Sequence, residues 1–175
     1  MTQTDKKDKN MFQKYAPLIA LTSITALAAL AVTYSIEYSL EGGFMDWMHY
    51  FMGFFLCCFA MLKIFNISQF AEGFQRYDLI AKKSRAYALC YPFIELALGL
   101  GYLSFLWPAY VYGATIVVMV IGTVGVILAL RKGLNINCPC MGSALSVPLS
   151  TVTLTEDIAM GLMAGYMLFD YVYLM

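Results

Sequence analysis

Five apolar runs of about twenty residues most restrict what this chain can fold into. They lie at about 15–34, 44–67, 86–107 and 111–130, and from just after Glu156 and Asp157 to near the C-terminus. A hydrocarbon layer about 30 Å thick is crossed by roughly 20 residues of helix. Inside it every backbone N–H and C=O must be paired within the protein, which leaves helices or closed barrels, and continuous runs of this length select helices. The expected fold class is all-α: a polytopic membrane helix bundle of four core helices plus one more, making five spans. A polar segment at 1–14 precedes a single transmembrane domain at 15–175, with a Cys-containing loop at 131–155.

Composition agrees and excludes other classes. The chain is 61% apolar and 13% charged, with a mean hydropathy of +0.71, which rules out a cytoplasmic enzyme with a water-facing surface all round. Eleven basic residues balance eleven acidic ones, so there is no basic field to attract nucleic acid. The single His leaves no material for most catalytic triads or zinc-protease motifs, and no nucleotide-binding loop is present.

Orientation follows from where the positive charges lie, because cytoplasmic loops of membrane proteins are enriched in Lys and Arg. Lys6, Lys7, Lys9 and Lys14 precede the first run; Lys63, Arg76, Lys82, Lys83 and Arg85 surround the loop between the second and third; Arg131 and Lys132 follow the fourth. All fall on one side, which predicts a cytoplasmic N-terminus and a multi-pass membrane protein. The opposite loop carries Glu37, Glu41 and Asp46 and no basic residue. A cleaved signal peptide is the rival reading of the first run, given its basic head and the small residues Ala26, Ala28 and Ala29.

The connecting segments have patterns of their own. Phe70, Phe74, Tyr77 and Ala81 recur at helical spacing and predict a short helix on the membrane surface. Thr153 and Glu156 have the spacing of a capping box and predict the start of the last span. Gly122, Gly125, Gly161 and Gly165 offer close helix contacts. Lys63, near the end of the second run, is expected to snorkel toward headgroups, and Trp107 to Tyr110 to form a tight aromatic turn.

Candidate chemistry centres on sulfur. In Asn135-Ile136-Asn137-Cys138-Pro139-Cys140-Met141-Gly142 two thiols stand one residue apart with the backbone between them restricted by proline. Such a pair suits soft ions of the Cu(I), Zn(II) or Hg(II) kind. A disulfide between the same residues would close a small strained ring and be readily reduced, which suits transient exchange. On the cytoplasmic side thiols are kept reduced, which disfavours stable structural disulfides. Cys57 and Cys58 are adjacent on the second span, about 100° apart on a helix, and read equally as metal ligands or as core filling; Cys90 reads as packing. His49 is either an entry ligand or a hydrogen-bonded interfacial residue. Glu95 lies mid-span, where a carboxylate requires a partner, a proton or water. With Tyr87, Tyr91 and Tyr102 it defines one face of the third span, so Glu95, His49 and Tyr91 are candidate residues of a pathway for a proton or cation.

From Asp46-Trp47-Met48 through Gly53-Phe54-Phe55, Lys63, Phe70, Tyr77-Asp78, Ile80-Ala81-Lys82 and Tyr91 to Leu100, the chain resembles the MauE and DoxX-like group of small bacterial membrane proteins. Cys138-Pro139-Cys140-Met141-Gly142, Pro148, Thr151 to Leu154 and Glu156-Asp157 resemble that group's C-terminal signature. The resemblance implies a bundle of four core helices and a shared Cys-x-Cys motif. It also implies a link to maturation of the disulfide-rich small subunit of methylamine dehydrogenase, alongside a thioredoxin-like partner. The Cys57-Cys58 pair is not part of the group's pattern.

Two functions compete on these grounds, neither of them enzymatic in the ordinary sense. The first is passage of a soft metal ion, Cu(I) or Hg(II), past Glu95 and Cys57-Cys58 to an inner site at Cys138 and Cys140, with a metallochaperone as partner. The second is a thiol-disulfide relay or maturation factor in which Cys138 and Cys140 exchange with a glutaredoxin-like or thioredoxin-like protein. A purely structural subunit, needing no cysteine, is the third possibility.

Overall fold

The computed structural model describes residues 3–36, 43–132 and 149–174, with side chains at 16–35, 43–132 and 154–173. Six helices follow in order: α1 (Gln3–Ile36), α2 (Gly43–Phe65), α3 (Ile67–Phe74), α4 (Arg85–Ser104), α5 (Pro108–Arg131) and α6 (Leu149–Leu174). No strand occurs among the described residues. Four helices are long and apolar enough to cross a membrane: Ala16–Ser35 within α1, then α2, α4 and α5. The 26 residues of α6 would extend about 39 Å at 1.5 Å per residue, but Glu156, Asp157 and Asp170 make it more polar than those four. Ile24, Leu27, Phe93, Leu106, Val117 and Leu162 are among many large apolar side chains left exposed on the bundle's outside. Apolar surface on that scale fits lipid rather than water, and the protein is a multi-pass membrane protein.

The most extensive pairings are α5 with α6 and α2 with α4. Close approach of α2 and α4 depends on Gly53 and Gly99: a Cβ on Gly99 would lie 2.7 Å from Cys57 Sγ and 3.0 Å from both Cys57 N and Gly53 O. Two backbones meet where neither carries a side chain, the usual device where hydrophobic driving force between helices is absent. On α5, Gly122 faces Asp157 of α6, and Gly125 lies against the backbone of Tyr77 and Asp78. Gly161 makes only ordinary contact with Met119, and no atom lies within 4 Å of a Cβ built on Gly165, so Gly165 is not the close-contact residue expected. α1 contacts chiefly α2, where the Trp47 indole donates to the Ala26 carbonyl at 3.1 Å.

Helix boundaries depart from the sequence expectations for local reasons. α2 stops at Phe65 and α3 begins after Asn66. α4 ends at Ser104 because Phe105 is left-handed (φ 52°), with its N–H bonded to the Tyr102 carbonyl; Trp107 is also left-handed (φ 46°), and Pro108 opens α5. A proline in the first helical turn gives up an N–H that would have no intrahelical partner there. The turn is therefore Phe105-Leu106-Trp107, shifted toward the N-terminus relative to the expected Trp107–Tyr110 turn. α6 starts at Leu149, immediately after Pro148 in the sequence, so Thr153 and Glu156 lie inside the helix and do not cap it.

The predicted surface helix forms, but shorter, and its apolar face turns into the protein. Phe70, Phe74, Tyr77 and Ala81 are all buried, with Phe70 and Phe74 against Tyr91 of α4 at ring distances of 6.0 and 4.5 Å. The chain then turns on Asp78, fully buried, whose Oδ1 accepts from the backbone N–H groups of Ile80 at 2.9 Å and Ala81 at 2.8 Å.

Candidate functional site

One face of α2 carries Trp47, Phe51, Phe55 and Phe59 at four-residue intervals, each ring against the next. Lys63 continues the row and should, at the end of a span, reach for headgroups. It does the opposite. Its side chain is buried and its ammonium donates to Glu95 Oε1 on α4 in an ion pair. Phe59, Phe70 and Tyr91 frame the ammonium at 5.9, 5.5 and 5.2 Å from their ring centres, close enough for cation–π attraction. The inward turn follows from Glu95: a carboxylate buried at mid-span needs a counter-charge, and Lys63 is the basic residue lying within a span on the sequence reading.

The pair borders a cavity of about 30 Å³, room enough for water. All of α2 to α6 contribute to its wall. α6 supplies Glu156 and Asp157, α5 supplies Met119 and Gly122, and Tyr77 closes it from beyond α3. Glu95 is buried, and its Oε2 makes no hydrogen bond within the described residues; Glu156 and Asp157 are half-buried. Asp157 comes so near α5 that a Cβ on Gly122 would lie 2.8 Å from its Oδ2.

Within the described residues, Cys57 and Cys58 are not joined by further metal-ligating side chains. Cys57 and Cys58 are free and half-buried, with Cys57 against Gly99, and neither lines the cavity. Cys90 is exposed on the outside of α4, not packed inside as expected. His49 stands eight residues before Cys57, about 12 Å along the helix. It is buried, with Nε2 sharing a 2.5 Å hydrogen bond with the Tyr112 hydroxyl and its ring against Phe105 at 4.5 Å. This bond fits the hydrogen-bonded reading of His49. Among the described residues no group of three His, Cys, Asp or Glu is placed to hold a metal ion. Cys138 and Cys140 lie outside the described residues. The expected polar face of α4 does form, with Tyr91, Glu95 and Tyr102 buried and Tyr87 half-buried.

The family model described as methylamine utilisation protein MauE matches residues 41–170. The chain belongs to the MauE family. The match runs from the start of α2 through nearly all of α6 and takes in the Cys138-Pro139-Cys140 segment; α1 stands outside it. No curated protein and no solved structure matches the chain. Membership links this membrane protein to methylamine utilisation, and the residues that border the cavity all fall within the MauE match.

Sequence reasoning missed two parts of this site. It identified Glu95 but not its counter-ion, although a search for the lone cation within any span would have found Lys63. It read Glu156 as a cap and gave Asp157 no role beyond marking the start of the last span. Their placement on the cavity depends on α6 starting at Leu149 and packing along α5.

Proposed function

We propose that this protein is a membrane-embedded thiol-disulfide partner in methylamine utilisation, with Cys138 and Cys140 as its reactive pair. The observation that carries this reading is the family match, which spans the Cys-Pro-Cys segment together with the helices flanking it. The resting pair is a dithiol. The Cys138 thiolate attacks a disulfide on the partner protein, forming a mixed disulfide and expelling one partner thiolate. The Cys140 thiolate then attacks Cys138 Sγ and releases the second partner sulfur. Two electrons pass to the partner, whose sulfurs leave as thiolates and take up protons from water. A thiol reductant of the glutaredoxin or thioredoxin class returns the Cys138-Cys140 disulfide to dithiol.

The pair belongs on the cytoplasmic side of a bacterial inner membrane in a five-span arrangement with the N-terminus inside. Supporting this, every basic residue falls on one side of the predicted spans. The α3–α4 turn, with Lys82 and Lys83, also packs against Gly125 near the end of α5 from which the chain leads to Cys138.

Replacing Cys140 by Ser in the full-length protein removes the resolving thiol, so a mixed disulfide with a partner should accumulate and disappear on adding a strong reductant. A Cys138→Ser, Cys140→Ser protein should form none. Failure to trap any adduct, together with stoichiometric Cu(I) binding lost in the double variant, would replace the relay with soft-metal passage through the same pair.

A further inference from the structure

The turn between α3 and α4 gathers positive charge without a matching acid. Residues 76–85 hold four basic side chains, Arg76, Lys82, Lys83 and Arg85, all of them exposed. The segment's one acid, Asp78, is fully buried, and its Oδ1 is taken up by the Ile80 and Ala81 amides. The acid before it in sequence, Glu72, is exposed on α3, and among the described residues none of the four cations forms an ion pair. The backbone that carries them is held in one shape. Gln75 Nε2 donates to the Ala81 carbonyl at 3.2 Å, the Lys83 and Ser84 amides donate to the Ile80 carbonyl at 2.9 and 3.1 Å, and the backbone of Tyr77 and Asp78 lies against Gly125 of α5. Like charges carried so close together on a fixed backbone repel one another, and a bound anion relieves that repulsion.

Which anion suits the turn follows from its position. Arg85 opens α4, one of the helices long and apolar enough to cross a membrane, so the turn that precedes it lies at the level of the lipid headgroups. Among the cations stand Leu79 and Ile80, exposed by 40% and 39%. A site for a dissolved anion gains nothing from exposed apolar side chains, whereas a lipid brings acyl chain as well as phosphate. Basic and acidic residues balance at eleven each over the whole chain, so the attraction is local to the turn and not a field of the entire molecule. We infer that the α3–α4 turn is a binding surface for an anionic phospholipid headgroup. Arg76, Lys82, Lys83 and Arg85 supply the charge, and Leu79 and Ile80 the apolar contact with the lipid. The surface does not depend on the role of Cys138 and Cys140.

The test is native mass spectrometry of the full-length protein in detergent micelles, with dioleoyl-phosphatidylglycerol and dioleoyl-phosphatidylcholine offered together. The first phosphatidylglycerol should bind about tenfold tighter than the first phosphatidylcholine, since each Lys or Arg near an anionic headgroup contributes up to about fivefold. Lys82→Gln, Lys83→Gln should lower that preference at least about threefold on the same grounds. Arg131→Gln, Lys132→Gln removes as much charge from the exposed end of α5 and should leave the preference unchanged. Excess glycerol 1-phosphate should not displace the lipid. Because all four substituted side chains are exposed, circular dichroism should show the same helical content in both variants. No preference for phosphatidylglycerol in the unaltered protein leaves the cations to a soluble acidic partner and overturns the proposal. An equal loss in the two double variants, which means attraction to charge in general, overturns it as well, and so does displacement by glycerol 1-phosphate, which means a site for dissolved anions. Both variants keep Cys138 and Cys140, so the outcome is independent of the thiol-exchange reading.

Discussion

Removing the Lys63 ammonium should cost far more than removing the ion pair as a unit. Both side chains are about 5% exposed, so Lys63→Met leaves the Glu95 carboxylate buried with no counter-charge, a situation that costs about 3–5 kcal/mol. Glu95→Gln leaves the ammonium among Phe59, Phe70 and Tyr91. Those rings return on the order of 0.5–2 kcal/mol of cation–π attraction, so this variant should lose less than Lys63→Met. In Lys63→Met, Glu95→Gln neither charge remains. Met fills much of the Lys stem's volume, and such replacements of buried pairs are near neutral, within about 1–2 kcal/mol. The coupling between the positions should therefore reach about 3 kcal/mol or more, at the upper end of what contacting residues show. Reversible unfolding in mixed micelles provides the measurement, followed by the fluorescence of Trp47, whose indole ties α2 to α1. Additive losses within about 0.5 kcal/mol would refute the reasoning and mean that the two groups are solvated separately.

Three further substitutions probe the architecture. Gly99→Ala places a Cβ 2.7 Å from Cys57 Sγ and 3.0 Å from two backbone atoms; it should destabilise by about 1–3 kcal/mol, and Cys57→Ala should restore only part of the loss, because the backbone atoms stay. Asp78→Ala strands the N–H groups of Ile80 and Ala81, so a loss of about 2 kcal/mol is expected, with faster hydrogen exchange at those two amides and a much smaller effect in Asp78→Asn, which keeps an acceptor oxygen. His49→Phe keeps ring packing against Phe105 but forfeits the bond to Tyr112; unfolding should shift by about 1 kcal/mol, and a loss of metal binding in this variant would contradict the structural role assigned to His49.

Much of this fold could be read from the sequence because bilayer thickness imposes a length that needs no tertiary information: the four most apolar runs are helices to within a few residues. The periodicity of Phe70, Phe74, Tyr77 and Ala81 was equally legible, but not the surface it meets, since burial against Tyr91 and burial in lipid demand the same apolar face. The glycines were ambiguous for a related reason. Gly53 and Gly99 sit at a close approach of α2 to α4 while a Cβ on Gly165 would meet no atom within 4 Å, and spacing along one helix does not reveal which positions a partner helix occupies. Glu95 declared itself as a lone acid in an apolar run, whereas Lys63 was masked by its place at a helix end, where a snorkelling lysine is the ordinary case.

The two ends of the bundle are built differently, and the difference bears on where chemistry can occur. At one end α4 and α5 are joined by only Phe105, Leu106 and Trp107, two of them held left-handed, and His49, Tyr102, Phe105 and Tyr112 pack ring against ring behind the turn. Exchanging a proton or admitting a partner there would require parting aromatic contacts that include a buried hydrogen bond. Away from that turn, Lys63, Glu95, Glu156 and Asp157 border a cavity that reaches the middle of α4 and α5, and α5 leads on into the segment that carries Cys138 and Cys140. Thiol exchange consumes and releases protons, because only the thiolate attacks. The aromatic end also holds ionisable groups, His49, Tyr102 and Tyr112, but there they are locked in ring contacts and a buried hydrogen bond instead of bordering a cavity.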